Sequence, residues 1–156
     1  MGEACHFIDL LQYWTEAPPV SVFAEAIASG NQETVNDDSV LITVRFADGS
    51  NGCIAYLAEG EKTLPKERVE IFGDGKAFVL DDFRAALLYR NGREEKMKIG
   101  KQDKGQAGEA RAVCRMILEG GRAPIGLAEM AATTRATFRI LDSLRSGQPK
   151  RVMSDK

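Results

Sequence analysis

The sequence is poor in the residues that most often mark a catalytic or metal centre. It has a single histidine, and its three cysteines, Cys5, Cys53 and Cys114, are widely separated. An odd number of distant cysteines provides neither a disulfide framework nor a CxxC metal site. We therefore expect reduced thiols and no bound metal ion.

Neither sign of charge is in excess, because 21 basic and 23 acidic residues are mixed along the chain. Without a basic stripe, nucleic acid is a poor partner. No apolar run approaches the ~20 residues that a membrane-spanning helix requires. The first residues resemble neither a signal peptide nor a transit peptide. We expect a cytoplasmic protein that binds neither nucleic acid nor a membrane.

Phosphate-binding loops are also missing from the sequence, which has no GxGxxG and no GxxxxGK[ST] motif. The nearest glycine cluster, Gly73-Asp74-Gly75, lies between two strand-like segments. It is therefore predicted to be a turn, and it lacks the helix N-terminus that stabilises a pyrophosphate.

What the sequence does contain is a clear order of elements. Apolar residues at helical spacing predict a helix from His6 to about Glu16, which the following prolines end. Strands are then predicted at 20–28 and 39–46, the second with Val40, Ile42, Val44 and Phe46 alternating against Ser39, Leu41, Thr43 and Arg45. Turn residues at 48–52, 73–75 and 91–92 predict three β-hairpins, with strands resuming at 53–57 and flanking the later turns at 68–72, 76–80, 85–89 and 94–99.

After Gly100 the apolar period changes from 2 to 3.6. One helix is predicted around an apolar stripe that Gly120 and Gly121 close: Ala110, Val113, Cys114, Ile117 and Leu118. Another is predicted over about 127–145, and five of its residues are expected to face inward: Leu127, Met130, Thr134, Phe138 and Leu141.

The segregation of helices and strands along the chain predicts the fold class. We expect an α+β fold, in which three helices lie on one face of an open, mainly antiparallel sheet of six or seven strands. Residues 1–149 are predicted to form one domain and residues 150–156 a tail. A chain of 156 residues with 44% apolar content fits a single folded domain.

The first predicted helix carries the residues with the clearest chemical potential. His6 and Asp9 are three apart and share one side of the helix, and Tyr13 follows on the same strip. An imidazole beside the buried face can exchange a proton with a hydroxyl near neutral pH. A lone histidine at a helix edge is also compatible with a purely structural role, so spacing alone leaves both interpretations open.

The segment from Gly2 to Leu10 resembles the opening of the C-terminal domain in the glucose–fructose oxidoreductase / inositol dehydrogenase (Gfo/Idh/MocA) family. In that family a glycine-rich stretch precedes a histidine, and an aspartate follows three residues later. The end of the chain, residues 132–149, is similar to the family's closing Ser-Leu-x-x-Gly-x-Pro signature. The Glu-x-Cys-His-Phe-Ile-Asp form resembles bi-domain members that carry an additional zinc-type dehydrogenase module.

The resemblance implies a function. Family members oxidise or reduce a carbon of a sugar, an inositol or a related small molecule by hydride exchange with NAD or NADP. It implies that His6 is the acid/base on the reacting oxygen and that Asp9 supports orientation or substrate binding. Tyr13, on the same strip of the helix, is added as a second substrate-binding candidate. It also implies that a Rossmann domain outside this chain binds the cofactor, so the isolated domain is expected to be inactive.

Two departures from the family pattern bear on this hypothesis. Many members have an aspartate four residues before the histidine, where this chain has Gly2. The Glu-Lys-Pro motif, whose lysine shares the catalytic work, belongs to the Rossmann domain and is absent from this sequence. Two alternatives therefore stay open: a non-catalytic assembly module, and an NAD-dependent glycosidase of the same fold.

The predicted sheet has a second face that the helices cannot cover. On the strand 39–46 this face alternates Leu41 with Thr43 and Arg45, and we expect Ile54 and Tyr56 to extend it. An apolar face of this kind is usually buried by a partner. The sequence therefore predicts a homodimer through this face.

Overall fold

The computed structural model describes residues 3–27, 39–98 and 100–152, and contains three helices and eight strands. The helices are α1 (Ala4–Thr15), α2 (Gln106–Glu119) and α3 (Leu127–Ser146). The strands are β1 (Pro19–Ala26), β2 (Ser39–Phe46), β3 (Asn51–Leu57), β4 (Arg68–Gly73), β5 (Lys76–Asp81), β6 (Ala85–Arg90), β7 (Arg93–Lys98) and β8 (Lys150–Arg151). Of the predicted strand ends, Ala28 and Ile99 lie outside the described residues.

The strands form two antiparallel sheets of four, ordered β3-β2-β1-β8 and β4-β5-β6-β7. The chain divides into two compact units, of which the first comprises Met1–Glu59 with Ile125–Lys156 and the second Gly60–Pro124. The predicted α+β class, with open antiparallel sheets and three helices, is confirmed.

The arrangement of the strands differs from the single sheet of six or seven that the sequence suggested. Residues 58–67 form an irregular connection, so the succession of hairpins is interrupted between β3 and β4. The free edge of β1 pairs with β8, which lies in the segment predicted to be a tail. Helices α1 and α3 pack on one face of the first sheet, whereas α2 belongs to the second unit.

The three predicted hairpins are present, and each has the turn chemistry that its sequence indicates. Strands β2 and β3, β4 and β5, and β6 and β7 are adjacent antiparallel pairs. The turns contain backbone in the left-handed region at Asp74 (φ 51°), Asn91 (φ 52°) and Gly92 (φ 69°). Asparagine, aspartate and glycine tolerate this region best, which is why these short turns were recognisable.

The core of the first unit lies between one face of its sheet and the two helices. Strand β2 alternates strictly, burying Val40, Ile42, Val44 and Phe46. From the helices, Ile8 of α1 and Ile140 of α3 are both fully buried against this layer. Burial of such side chains contributes roughly 1.5–3 kcal/mol each, so this layer holds α1 and α3 on the sheet.

The register of β3 corrects the predicted open face. Ile42 pairs with Ile54 and Val40 with Tyr56. Residues directly opposite each other point to the same side of a sheet, so Ile54 and Tyr56 lie on the core side. Ile54 is only 7% exposed. The open face carries Cys53, Ala55 and Leu57 instead, opposite Thr43, Leu41 and Ser39.

The inward face of α3 also differs from the prediction. Large apolar residues expected to be buried are exposed, with Leu127 at 79% and Phe138 at 62%. Met130 and Thr134 are exposed and Leu141 is half-buried. The buried residues are Ala132, Thr133, Ala136, Ile140 and Ser143. They form a second stripe at helical spacing, made largely of small side chains that allow α3 to approach β1 and α1 closely.

Helix α2 contains the predicted apolar stripe and ends at the predicted glycines, but the stripe is exposed. No residue of α2 is buried, and Ile117 and Leu118 are 70% and 84% exposed. Gly120 follows the helix with φ 73°, as the C-terminal glycine predicted. Periodicity therefore located this helix correctly, although it did not determine what the stripe contacts.

A buried serine joins α3 to the edge of the first sheet. Strand β8 pairs only with Ser21 and Val22 of β1, so it ends before Ala24. The Ala24 N–H donates instead to Ser143 Oγ over 3.0 Å, and this hydroxyl donates to the Gln148 carbonyl over 2.8 Å. Ser143 thus satisfies a buried backbone donor that the short strand leaves unpaired.

Removing the Ser143 hydroxyl should lower the stability of the first unit. In Ser143→Ala the Ala24 N–H keeps its burial but loses its acceptor, so the free energy of unfolding should fall by about 1–3 kcal/mol. Urea denaturation followed by Trp14, the single tryptophan and a residue of α1, measures this change. Ser146→Ala, at an exposed position of the same helix, is the control and should change the value by less than about 0.5 kcal/mol. Equal values for the two variants would contradict the assigned role.

Candidate functional site

Helix α1 presents the three predicted site residues along its side. Ala4 and Ile8 are fully buried, so the opposite part of the helix faces outward. His6 is exposed, Asp9 is half-buried and Tyr13 is 73% exposed. The sequence spacing therefore places all three on one helix, with the imidazole accessible and the carboxylate at the boundary of the buried face.

The first turn of α1 fixes the backbone that carries the histidine. The His6 N–H donates to the Glu3 carbonyl over 3.1 Å, so His6 lies on the turn that opens the helix. At the other end, Glu16 adopts left-handed backbone (φ 52°), and Ala17, Pro18 and Pro19 follow. The helix is thus bounded on both sides by short-range constraints.

Asp9 is held from the side of α3. The partner that the structure gives its carboxylate is the hydroxyl of Thr133, with 3.5 Å between Oγ1 and Oδ1. One turn further along α1, Gln12 Nε2 donates to the Glu129 carbonyl over 3.2 Å. Gln12 is only 7% exposed. The side of α1 that carries Asp9 and Gln12 is therefore anchored to a helix from the far end of the sequence.

Sequence reasoning did not single out Gln12 and Thr133. A signal was present for Gln12, which follows Ile8 by four residues and so occupies a core position of the apolar stripe with a polar side chain. Thr133 carried no such signal, because the predicted inward stripe of α3 was the other one. Only the packing of α1 against α3 brings the two residues together.

The glycine cluster singled out in the sequence does not form a dinucleotide phosphate site. Gly73-Asp74-Gly75 joins β4 to β5, as predicted, and leads into no helix. Such a site needs backbone N–H groups at a helix N-terminus that follows a glycine-rich loop. Among residues 3–27, 39–98 and 100–152, no group of three or more potential metal ligands is assembled either.

A separate open cavity of about 500 Å³ lies in the second unit, at the turns that end β4 and β6. Its lining includes Lys76, Tyr89, Arg90, Arg93 and Glu94. Loss of hydration, followed by a hydrogen bond to the Glu94 carboxylate, raises the pKa of Tyr89. None of the predicted site residues, His6, Asp9 and Tyr13, lines this cavity.

The family match decides the identity of the domain. The family model described as the GFO/IDH/MocA C-terminal domain matches residues 1–79, which include α1 and the first four strands. The chain belongs to the GFO/IDH/MocA family. The resemblance found in the sequence is thereby confirmed, while the placement among bi-domain members stays a prediction.

Solved structures of oxidoreductases share the fold of this GFO/IDH/MocA domain. An oxidoreductase from Agrobacterium radiobacter, in complex with NAD+, L-tartaric acid and magnesium, has a TM-score of 0.79 and 12% identity over 96% of this chain and 47% of that one. UDP-N-acetylglucosamine 3-dehydrogenase from Acidithiobacillus ferrooxidans has a TM-score of 0.72 and 18% identity over 91% and 45%. Aldose-aldose oxidoreductase from Caulobacter crescentus, complexed with glycerol, has a TM-score of 0.73 and 15% identity over 94% and 45%.

The chain spans less than half the length of each of these three proteins. At such low identities the similarity establishes the fold alone. A search of curated protein sequences gave no significant match. Within the part of the chain that the structure describes, no helix is both long enough and apolar enough to cross a bilayer.

Proposed function

We propose that this chain is the substrate-binding and assembly domain of an NAD(P)-dependent oxidoreductase that acts on a sugar, an inositol or a related hydroxyl or carbonyl compound. The observation that carries the proposal is the family match over residues 1–79, which includes an exposed histidine on α1. The proposal is supported by neighbours described as oxidoreductases, one in complex with NAD+ and another named as a putative NADPH-dependent enzyme. A cytoplasmic location is part of the same proposal.

In this proposal His6 exchanges a proton with the reacting oxygen of the substrate. Oxidation of a hydroxyl requires a base for the hydroxyl proton, and reduction of a carbonyl requires an acid. An exposed imidazole can reach a substrate that approaches from outside the domain. Asp9 and Tyr13, on the same side of α1, would contact the neighbouring hydroxyl groups. The nicotinamide cofactor, NAD or NADP, would be held by a Rossmann domain encoded outside this chain.

Removal of His6 tests the catalytic role. In the longer protein that includes the nucleotide-binding domain, His6→Ala should lower kcat by roughly 10²–10⁴-fold, the usual contribution of general acid–base catalysis. Reduced-nicotinamide absorbance with a panel of aldoses and inositols measures the turnover. Glu16→Gln, at the exposed end of α1, is the control and should leave turnover unchanged. If His6→Ala keeps full turnover, the catalytic proposal fails; release of free sugar from a glycoside would favour the glycosidase alternative.

The proposal that another domain binds the cofactor can be tested on this chain alone. Because it has no phosphate-binding loop, calorimetry with NAD+ and with NADP+ should show no saturable binding at sub-millimolar concentrations. A micromolar affinity for either nucleotide would mean that the chain contains a cofactor site of its own.

The open face of the first sheet supports a proposed homodimer. Leu41 is 46% and Leu57 is 56% exposed, and Cys53 and Ala55 extend the same face. Two copies packed sheet to sheet would bury at least ~1,000 Å² in total, as a specific interface should. The same observation keeps the assembly-module alternative open, because a dimer would form with or without catalysis.

Light scattering at micromolar concentration tests the dimer. Leu41→Lys should shift the population towards monomer, because it places an unpaired charge in the apolar part of the interface. Leu64→Lys, at a 70% exposed position outside the strands, is the matched control. A monomer of 17.1 kDa for the unmodified chain would contradict the proposal.

A further inference from the structure

The three threonines of α3 use their hydroxyl groups in two different ways. Thr134 and Thr137 each donate to the carbonyl four residues earlier in their own helix, over 2.8 Å and 2.9 Å. This local bond is the usual choice for a helical threonine. The Thr133 hydroxyl instead faces Asp9 on α1, with 3.5 Å between Oγ1 and Oδ1, a longer contact than the other two. This hydroxyl therefore contributes to the contact between two helices.

The reason for this difference lies in the neighbouring contact. The carbonyl four residues before Thr133 is that of Glu129, and it accepts the hydrogen bond from Gln12 Nε2. Since Gln12 is bonded to the acceptor that the Thr133 hydroxyl would otherwise use, Asp9 becomes the alternative acceptor. Asp9 and Gln12 are three apart on α1, so the two contacts lie on successive turns. We call these four residues, Asp9, Gln12, Glu129 and Thr133, the polar seam.

The polar seam adds directional contacts to the non-directional apolar packing beside it. Ile8 and Ala136 are buried together in the core of the first unit, and apolar burial is non-directional. Hydrogen bonds are directional and weaken steeply when misaligned. Gln12 Oε1 is buried without a hydrogen-bond partner among the described residues, which lowers the net stabilisation that Gln12 gives. The main effect of the seam is therefore on the orientation of α1.

We propose that Thr133 is a positioning residue: its hydroxyl, through Asp9, fixes the rotation of α1 and so the direction in which His6 is presented. This inference rests on the proposed function only for its catalytic consequence. Asp9 lies one turn after His6 on the same helix, so a rotation that releases Asp9 also turns the imidazole. The structural part of the proposal concerns this chain alone.

The single histidine makes the structural part measurable without any substrate. NMR spectra of this chain contain one set of imidazole ring resonances, those of His6. Thr133→Val keeps the shape of the side chain but removes the hydroxyl, and should displace these resonances and those of Tyr13. Thr133→Ser keeps the hydroxyl and should restore them. Thr137→Val, which loses only a bond within α3, is the matched control and should leave them in place.

A double-mutant cycle shows whether the effect passes through Asp9. In Asp9→Ala the acceptor is lost, so adding Thr133→Val should displace the His6 resonances little further. Urea denaturation should show coupling between the two positions of about 2- to 10-fold in the unfolding equilibrium constant. Additive effects, or unchanged resonances in Thr133→Val, would overturn the proposal.

The catalytic consequence is tested in the longer protein that includes the nucleotide-binding domain. Thr133→Val should lower kcat by about 10- to 100-fold, because a small displacement of a reacting group has effects of this order. Thr133→Ser should recover most of the activity. If His6→Ala leaves turnover unchanged, the proposed function fails, and the NMR result still decides the role of Thr133. If His6→Ala abolishes turnover but Thr133→Val has no effect, the positioning role fails.

Discussion

The contact between α1 and α3 is the interaction on which the candidate site depends. The two helices come from opposite ends of the sequence and pack on one face of the first sheet, α1 against β2 and β3 and α3 against β1 and β8. Ile8 and Ile140 are fully buried there with Ile42 and Val44. Because this contact is long-range, α1 is held in place only when the C-terminal helix has docked. The geometry around His6 is therefore a property of the whole first unit, although the residues that suggest the chemistry lie within a few positions of each other.

The hairpins could be predicted because their information is local, whereas the assignment of residues to faces required the register. Turn residues such as Asn91 and Gly92 specify a hairpin by their own backbone preferences. The predicted open face was wrong on β3, because Ile54 was assigned to the same face of the sheet as Leu41. Leu41 in fact pairs with Ala55, and paired residues share a face. The length of the turn decides which residues are opposite, and a shift of one residue exchanges the two faces of a strand.

The helices show a different limit of sequence reasoning. Helix α3 has two stripes at helical spacing, one with large residues such as Phe138 and one with small residues such as Ala136. Periodicity identifies a helix with either stripe, and hydrophobicity favours the larger residues. In the structure the small-residue stripe is buried, because the helix approaches both the sheet and α1. The same limit explains why Gln12 and Thr133 were missed. Their relevance depends on a contact between helices more than a hundred positions apart, and no local pattern encodes it.

An acid–base group has to satisfy two opposing requirements. It must be accessible to the substrate, and its orientation must be fixed, since a freely moving side chain loses the advantage of a defined geometry. Helix α1, with His6 as the proposed acid–base group, meets both requirements with different residues. His6 is exposed, Ile8 anchors the helix by burial, and Gln12 and the half-buried Asp9 contact α3. Burial of the imidazole itself would fix it more firmly but would close it to the substrate. Anchoring the helix through Ile8, Gln12 and Asp9 leaves the imidazole of His6 open to a substrate, and the contacts proposed to control its orientation are made with Glu129 and Thr133 of α3.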